Sequence, residues 1–157
     1  MSRTIRNIII TLGLAALIAL TFVVAVESAQ AYEGVSVKHA RQHVKQAKAE
    51  LRDAERVLTA TRHYTAAYGA SVGRWVWLSD DVGWPPAQWP TLFYVIDRES
   101  GGNPHAQNPT SSASGLLQFL SSWWYGKWDP MDPYQNLRHG YLAWRQVGWQ
   151  PWSLTAY

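Results

Sequence analysis

No cysteine occurs among the 157 residues. That absence excludes disulfides, thiolate metal sites, iron–sulfur clusters and cysteine nucleophiles together. It leaves the compartment open, because an exported protein need not carry disulfides. The length excludes a long multidomain enzyme, since one domain takes roughly 100–200 residues. Metal-ligand patterns are also missing. His39 and His43 stand four apart with no third ligand in view, and His105 and His139 are isolated. No metal and no cofactor is expected. There is no internal repeat. Excess positive charge is absent where the aromatics are. Residues 69–157 hold five Lys/Arg against six Asp/Glu, whereas residues 32–68 hold seven against four. A nucleic-acid-binding domain would combine the two, so nucleic acid is excluded as a partner. Tryptophan is what the chain has in quantity. All ten lie between Trp75 and Trp152, which describes a packed globule rather than a disordered segment.

The N-terminus reads as an export signal or an anchor. Arg3 and Arg6 precede an uncharged, mostly apolar run from Ile8 to Val26, and Ala29-Gln30-Ala31 follows. A basic start, an apolar middle and a small-x-small site are the three parts of a secretory signal, with cleavage after Ala31. A run over 8–26 is also just long enough to span a bilayer, so an uncleaved membrane anchor is the competing expectation. Under both, residues 32–157 leave the cytoplasm, to be secreted or held at the outer face of the membrane.

Residues 32–71 read as a helical stalk. No proline interrupts residues 35–68, and Gly34 and Gly69 flank them. Val37, Ala40, Val44, Ala47, Leu51, Ala54 and Leu58 are spaced 3, 4, 3, 4, 3, 4, a heptad seam with Ala at every second position. The helix would pair with another copy over residues 35–58, fold back onto the globule, or stand as a stalk. Its Lys and Arg residues form a solvated face or meet anionic lipid or wall polymer. Gly69-Ala70-Ser71-Val72-Gly73 reads as a hinge, and Asp80 to Pro86 as a turn. The globule then occupies residues 72–157. A domain so small is marginal without disulfides, and its tryptophans supply the buried area.

Pro90 suits the first turn of a helix, and Gly101-Gly102-Asn103-Pro104 stops it. Within it Leu92, Val95, Ile96 and Glu99 share one face at i, i+3, i+4 and i+7. Glu99 therefore takes a core-facing position at a helix C-terminus. Burial and the negative end of the helix dipole both disfavour a charge there. A carboxyl that keeps its proton is what a general acid needs. A terminal Glu that bends out to solvent fits the same periodicity.

Glu99-Ser100-Gly101-Gly102-Asn103-Pro104 is followed by Ala106, Asn108, Gly115-Leu116-Leu117-Gln118-Phe119 and Trp123. This order resembles the lytic transglycosylase domain of the lysozyme-like superfamily, with its E-S-G-x-N-P-x-A-x-N segment and later G-L-x-Q. Asn136-Leu137 with Gly140-Tyr141-Leu142 resembles that family's next helix, although Tyr141-Leu142 comes one position early. The resemblance covers about residues 84–157. It implies a mainly α, lysozyme-like fold acting on peptidoglycan glycan strands. It makes Glu99 the sole catalytic acid/base and Ser100, Gln118, Phe119 and Trp123 substrate contacts. Ala156-Tyr157 stands for the family's A-Y-N, whose Tyr lies close to the Glu. Gly148-Trp149-Gln150-Pro151-Trp152 resembles the closing segment of other members.

Most glycosidases use two carboxylates. Asp97 lies about 200° around the helix from Glu99. Asp129 and Asp132 sit in a turn-rich segment that suits Asx-turns and helix caps. One acid suffices if the substrate's own 2-acetamido oxygen is the nucleophile. Deprotonating the sugar 6-hydroxyl then yields a 1,6-anhydro end, and deprotonating water yields plain hydrolysis. Trp123, Trp124, Trp128 and Trp144 suit either sugar stacking or core packing. Trp123 and Trp124 cannot both face inward on a helix. Trp144 leans towards the core, on a face shared with Leu137, Tyr141 and Val147. The rival readings are a module that binds glycan without cutting it and a structural part of a membrane-anchored assembly.

Overall fold

The computed structural model describes residues 37–156. The expected signal or anchor over 1–31 and the side chain of Tyr157 lie outside them. Among the described residues the chain is mainly α, and its β pairing is confined to two isolated bridges, Gln107–Ser114 and Ser114–Phe119. No described helix is long and apolar enough to cross a membrane. The chain divides into two compact units between Leu58 and Thr59. That boundary falls inside helix α1, Val37–Tyr68, which fills the proline-free stretch.

In the second unit, Tyr64 near the end of α1 is buried, with its ring 4.4 Å from that of Phe93. The segment expected to be a hinge is instead the short helix α2, Ala70–Gly73, with Val72 fully buried. A Cβ on Gly73 would lie 2.6 Å from the backbone nitrogen of Thr65. This glycine serves close packing of two helices, which freedom of motion would defeat. Helix α3, Val76–Val82, takes in Asp80 and Asp81, so the expected turn narrows to Gly83 at φ +96° and the prolines after it. A 3-10 turn, Pro86–Gln88, leads into α4, Trp89–Ser100. Proline stands in its first turn and Gly101, at φ +57°, ends it.

Beyond α4 come a long loop, the short helix α5, Ser121–Trp124, and then α6, Pro133–Val147. Asp132 caps α6 by accepting from Tyr134 N at 2.8 Å and Gln135 N at 3.1 Å. The buried face of α6 is Asn136, Leu137, Gly140 and Ala143. It is turned from the expected one, and Val147 is exposed. The cause is Gly140, whose bare Cα lets Leu117 and Trp84 approach. Trp144 does pack inward in part, 5.6 Å from the Trp84 ring. A second 3-10 turn, Gln150–Trp152, and the helix α7, Ser153–Ala156, complete the described chain.

The tryptophans act as cross-braces as well as core. Trp75 donates its indole N–H to Gly102 O, Trp84 to Leu137 O and Trp152 to Leu117 O, at 2.9–3.0 Å. Trp149 reaches Gln88 Oε1 at 3.0 Å. Each of these joins segments at least 27 residues apart. Each would cost about 1–3 kcal/mol if its buried N–H lost its partner. In a cysteine-free domain they do work that disulfides do elsewhere.

One glycine is fixed by two independent constraints. Gly115 has φ +81°, and a Cβ there would collide with the Pro130 carbonyl and the Asn136 amide. Gly115→Ala is expected to cost at least about 3 kcal/mol, from backbone strain plus overpacking. A urea melt of the variant beside wild type checks this.

Candidate active site

The last turn of α4 carries Glu99 to the wall of a cleft of about 440 Å³. Its side chain is half-buried, between the two positions its periodicity allowed. The opposite wall comes from the turn at residues 114–119. Ser114 and Phe119 exchange backbone hydrogen bonds at 3.1 Å, closing four residues between them. That tight closure needs left-handed backbone at both Gly115 and Gln118. Gln118, at φ +49°, is the one non-glycine residue with positive φ among the described residues. Its amide nitrogen donates to Gly115 O at 2.9 Å and Ala106 O at 3.1 Å, which offsets the strain and pins the turn. Gln118 thus builds the wall as well as lining it.

The cleft is lined by Glu99, Gln118, Phe119 and Trp123 from the expected set, with Trp152 and Gln150 among the others. Phe119 is buried within an aromatic cage, its ring 5.4 Å from Trp152, 5.5 Å from Trp128 and 5.6 Å from Trp123. Trp123 is 43% exposed and is the member of the Trp123-Trp124 pair that faces the cleft. Trp124 spends its indole N–H on Phe119 O. Trp128 stacks on His139 with ring centroids 4.2 Å apart, so the segment that follows α5 is held against α6. Burial, and then the Arg138 guanidinium, keep His139 below the usual histidine range.

Ser100 is placed differently from the other site residues. Its hydroxyl donates to Ile96 O at 3.0 Å and accepts from Gly102 N at 3.2 Å. It closes the end of α4 and is not among the residues lining the cleft. Tyr157 lies outside the described residues. Asp129 and Asp132 are taken up by an Asx-turn to Met131 N and by the cap of α6. Among the residues lining the cleft, Glu99 is the sole carboxylate. No cluster of His, Asp or Glu among the described residues could hold a metal ion.

Sequence reasoning missed Thr155. Its hydroxyl donates to Glu99 Oε1 at 2.5 Å across 56 positions of sequence. The 3-10 turn at Gln150–Trp152 swings α7 back against α4 and makes this contact. The resemblance of Gly148–Trp152 to a family closing segment pointed to this region. Nothing in it singled out the threonine.

Part of the chain is similar to a probable transglycosylase. A 33-residue stretch is 63% identical to "Probable transglycosylase SceD" of Staphylococcus aureus, with the same match in strains Newman, Mu3 and USA300. The stretch is 21% of this chain and 14% of that protein, so the chain matches about one-seventh of the relative's length. No family model and no solved structure matches the chain. The similarity to a transglycosylase agrees in kind with the motif around Glu99.

Proposed function

We propose that this protein is an exported peptidoglycan glycosidase of the lytic transglycosylase kind. It would cleave the bond between N-acetylmuramic acid and N-acetylglucosamine, with Glu99 as acid and then base. The observation that carries this reading is a single half-buried carboxylate on the wall of an aromatic-lined cleft. The similarity to a probable transglycosylase supports it.

Glu99 in its acid form donates a proton to the glycosidic oxygen, and the bond from that oxygen to the muramic anomeric carbon breaks. The 2-acetamido oxygen of the same sugar bonds to that carbon from the other face. Glu99, now a carboxylate, takes the proton of the 6-hydroxyl. The freed oxygen attacks the anomeric carbon, the acetamide leaves, and a 1,6-anhydro end remains. One carboxyl group passes one proton out and takes one back, so a second carboxylate is unnecessary. In this reading Thr155 holds Oε1 and the travelling proton is carried on Oε2. Trp123 offers ring surface to the apolar sugar C–H faces, with Phe119 packed behind it.

Mass spectrometry of muropeptides after digestion of purified peptidoglycan tests the proposal. Anhydro-muramyl ends are expected. Reducing ends would make the protein a hydrolase of the same bond, with water in place of the 6-hydroxyl. Bound but uncut glycan, with the protein folded, would make it a binding module. The contact at Thr155 gives a second test. Thr155→Val keeps the shape and removes the hydroxyl. A hydrogen bond to a charged group is worth about 1.5–3 kcal/mol, so kcat should fall at least about tenfold with little change in KM. Steady-state kinetics on glycan strands reads both.

A further inference from the structure

The part of the cleft wall that carries Trp123 is supported from outside the cleft. Helix α5 spans four residues and buries none of them. A single turn holds itself poorly, because the first turn of a helix is its costly one. Yet Trp123 must keep one angle if it is to meet a sugar ring flat. Its ring centroid lies 5.6 Å from that of Phe119, and 43% of the residue is exposed. Its angle is therefore set largely by the backbone of α5.

Trp128 acts on that backbone. The chain turns at Gly126, at φ +68°, and Trp128 N donates to Trp124 O at 3.2 Å. The Trp128 indole then donates its Nε1–H to Trp123 O at 3.1 Å. Phe119 meets the same indole nearly at right angles, at 5.5 Å and 84°. The imidazole of His139 lies flat against it, with 8° between the ring planes. A hydrogen bond, an edge contact and a stacked ring together fix the indole in place. His139 is itself carried on a helix whose Asn136 and Gly140 are buried, so the brace stands on a firm base. Neither Trp128 nor His139 is among the residues lining the cleft. Trp128 is only half-buried and adds less to the core than Trp84 or Trp152 does.

We propose that Trp128 and His139 are positioning residues for glycan binding. The imidazole braces the indole against α6, and the indole holds the backbone of Trp123, so that its exposed ring presents one fixed face to a sugar. The inference rests on one part of the glycosidase reading, that Trp123 meets glycan in this cleft. A ring held in its binding pose gives affinity because less freedom is lost when the ligand arrives. Stacking away from the reacting bond is equal in the ground state and the transition state, so losing it raises KM and leaves kcat alone. A brace that works by stacking needs a flat ring and no charge.

Steady-state kinetics on glycan strands, with equilibrium binding of the same strands to Glu99→Gln protein, test the proposal. His139→Ala should raise both KM and Kd about three- to tenfold, with kcat within about twofold of wild type. Trp128→Phe, which lacks the N–H, should shift them the same way. His139→Phe restores a flat ring and should bring KM and Kd back to within about twofold of wild type. Tyr134→Ala removes an exposed aromatic from the same helix and should change neither. Each variant is read well below the onset of its own thermal melt, so that folded proteins are compared. An unchanged KM and Kd in His139→Ala would overturn the inference. So would a fall in kcat at constant KM, or a His139→Phe protein as weak as His139→Ala. Wild type that binds glycan without cutting it would refute the glycosidase reading, and the binding comparison would still decide this one. Wild type that does not bind glycan would overturn both.

Discussion

Glu99→Gln is expected to lower kcat on peptidoglycan by about 10²–10⁴-fold, the usual worth of a positioned general acid. The fold should survive. Gln has the same length, and its carbonyl oxygen can still accept from Thr155, the one partner Glu99 has among the hydrogen bonds described above. The melting temperature should therefore stay near that of wild type while the rate collapses. Glu99→Asp separates the need for an acid from the need for its position, because it keeps the proton and withdraws it by one bond. Its activity should lie between the other two. The measurement is single-turnover release of anhydro-muramyl ends beside a thermal melt of each variant. A Glu99→Gln protein that cuts at the wild-type rate would sink the one-acid mechanism. Asp129 and Asp132 are poor replacements, since both are committed to backbone N–H groups.

The second large effect is on stability. Asn136 is fully buried in α6 and belongs to three chain segments at once. Its Oδ1 accepts from Leu117 N at 3.0 Å, and its Nδ2 donates to Pro130 O at 2.9 Å, with Ser114 O farther off at 3.5 Å. Asn136→Leu has similar bulk and satisfies none of these. Two well-paired buried backbone groups left without partners cost about 2–6 kcal/mol together. At roughly 4–8 °C per kcal/mol for a unit this size, the melting temperature should fall by about 10 °C or more. Activity should fall with it, because the turn that Asn136 pins carries Gln118 and Phe119 into the cleft wall. Asn136→Asp distinguishes the two bonds. Its carboxyl can donate to Pro130 O only while protonated. As a carboxylate it keeps Leu117 N, but it faces that carbonyl as a second acceptor and carries a buried charge. Its stability deficit should therefore widen as pH rises out of the acidic range. Thermal melts of the variant from pH 4 to pH 7, beside wild type, show this directly.

Much of this architecture was legible in local sequence. The helix over α1 followed from the heptad seam and the missing prolines. Helix α4 followed from Pro90, its apolar period and the glycines after Ser100. Asp132 could be read as a cap because a short carboxylate before a proline-led helix satisfies N–H groups that nothing else reaches. Gln118, Phe119 and Trp123 line the same cleft as Glu99. Where local reading failed, the deciding partner was distant in sequence. Gly69 to Gly73 looked mobile because glycine permits motion, yet Gly73 is bare so that Thr65 can approach. The face of α6 was misjudged because apolar spacing cannot register a glycine that draws Leu117 and Trp84 onto the helix. Ser100 stood beside Glu99 in the motif, but an unpaired helix end lay closer to its hydroxyl than the cleft did.

The sequence by itself determined the helical class, the placement of the tryptophans and the carboxylate in the last turn of α4. These depend on spacing of three and four residues, and such spacing is set by the helix alone. Tertiary structure decided what each group does. It brought Thr155 onto Glu99, forced Gln118 into a left-handed turn, and gave the indole N–H groups of Trp75, Trp84 and Trp152 distant carbonyls to hold. Each of those choices satisfies a buried polar group with a partner many residues away. Which partner arrives is fixed only when the helices have packed.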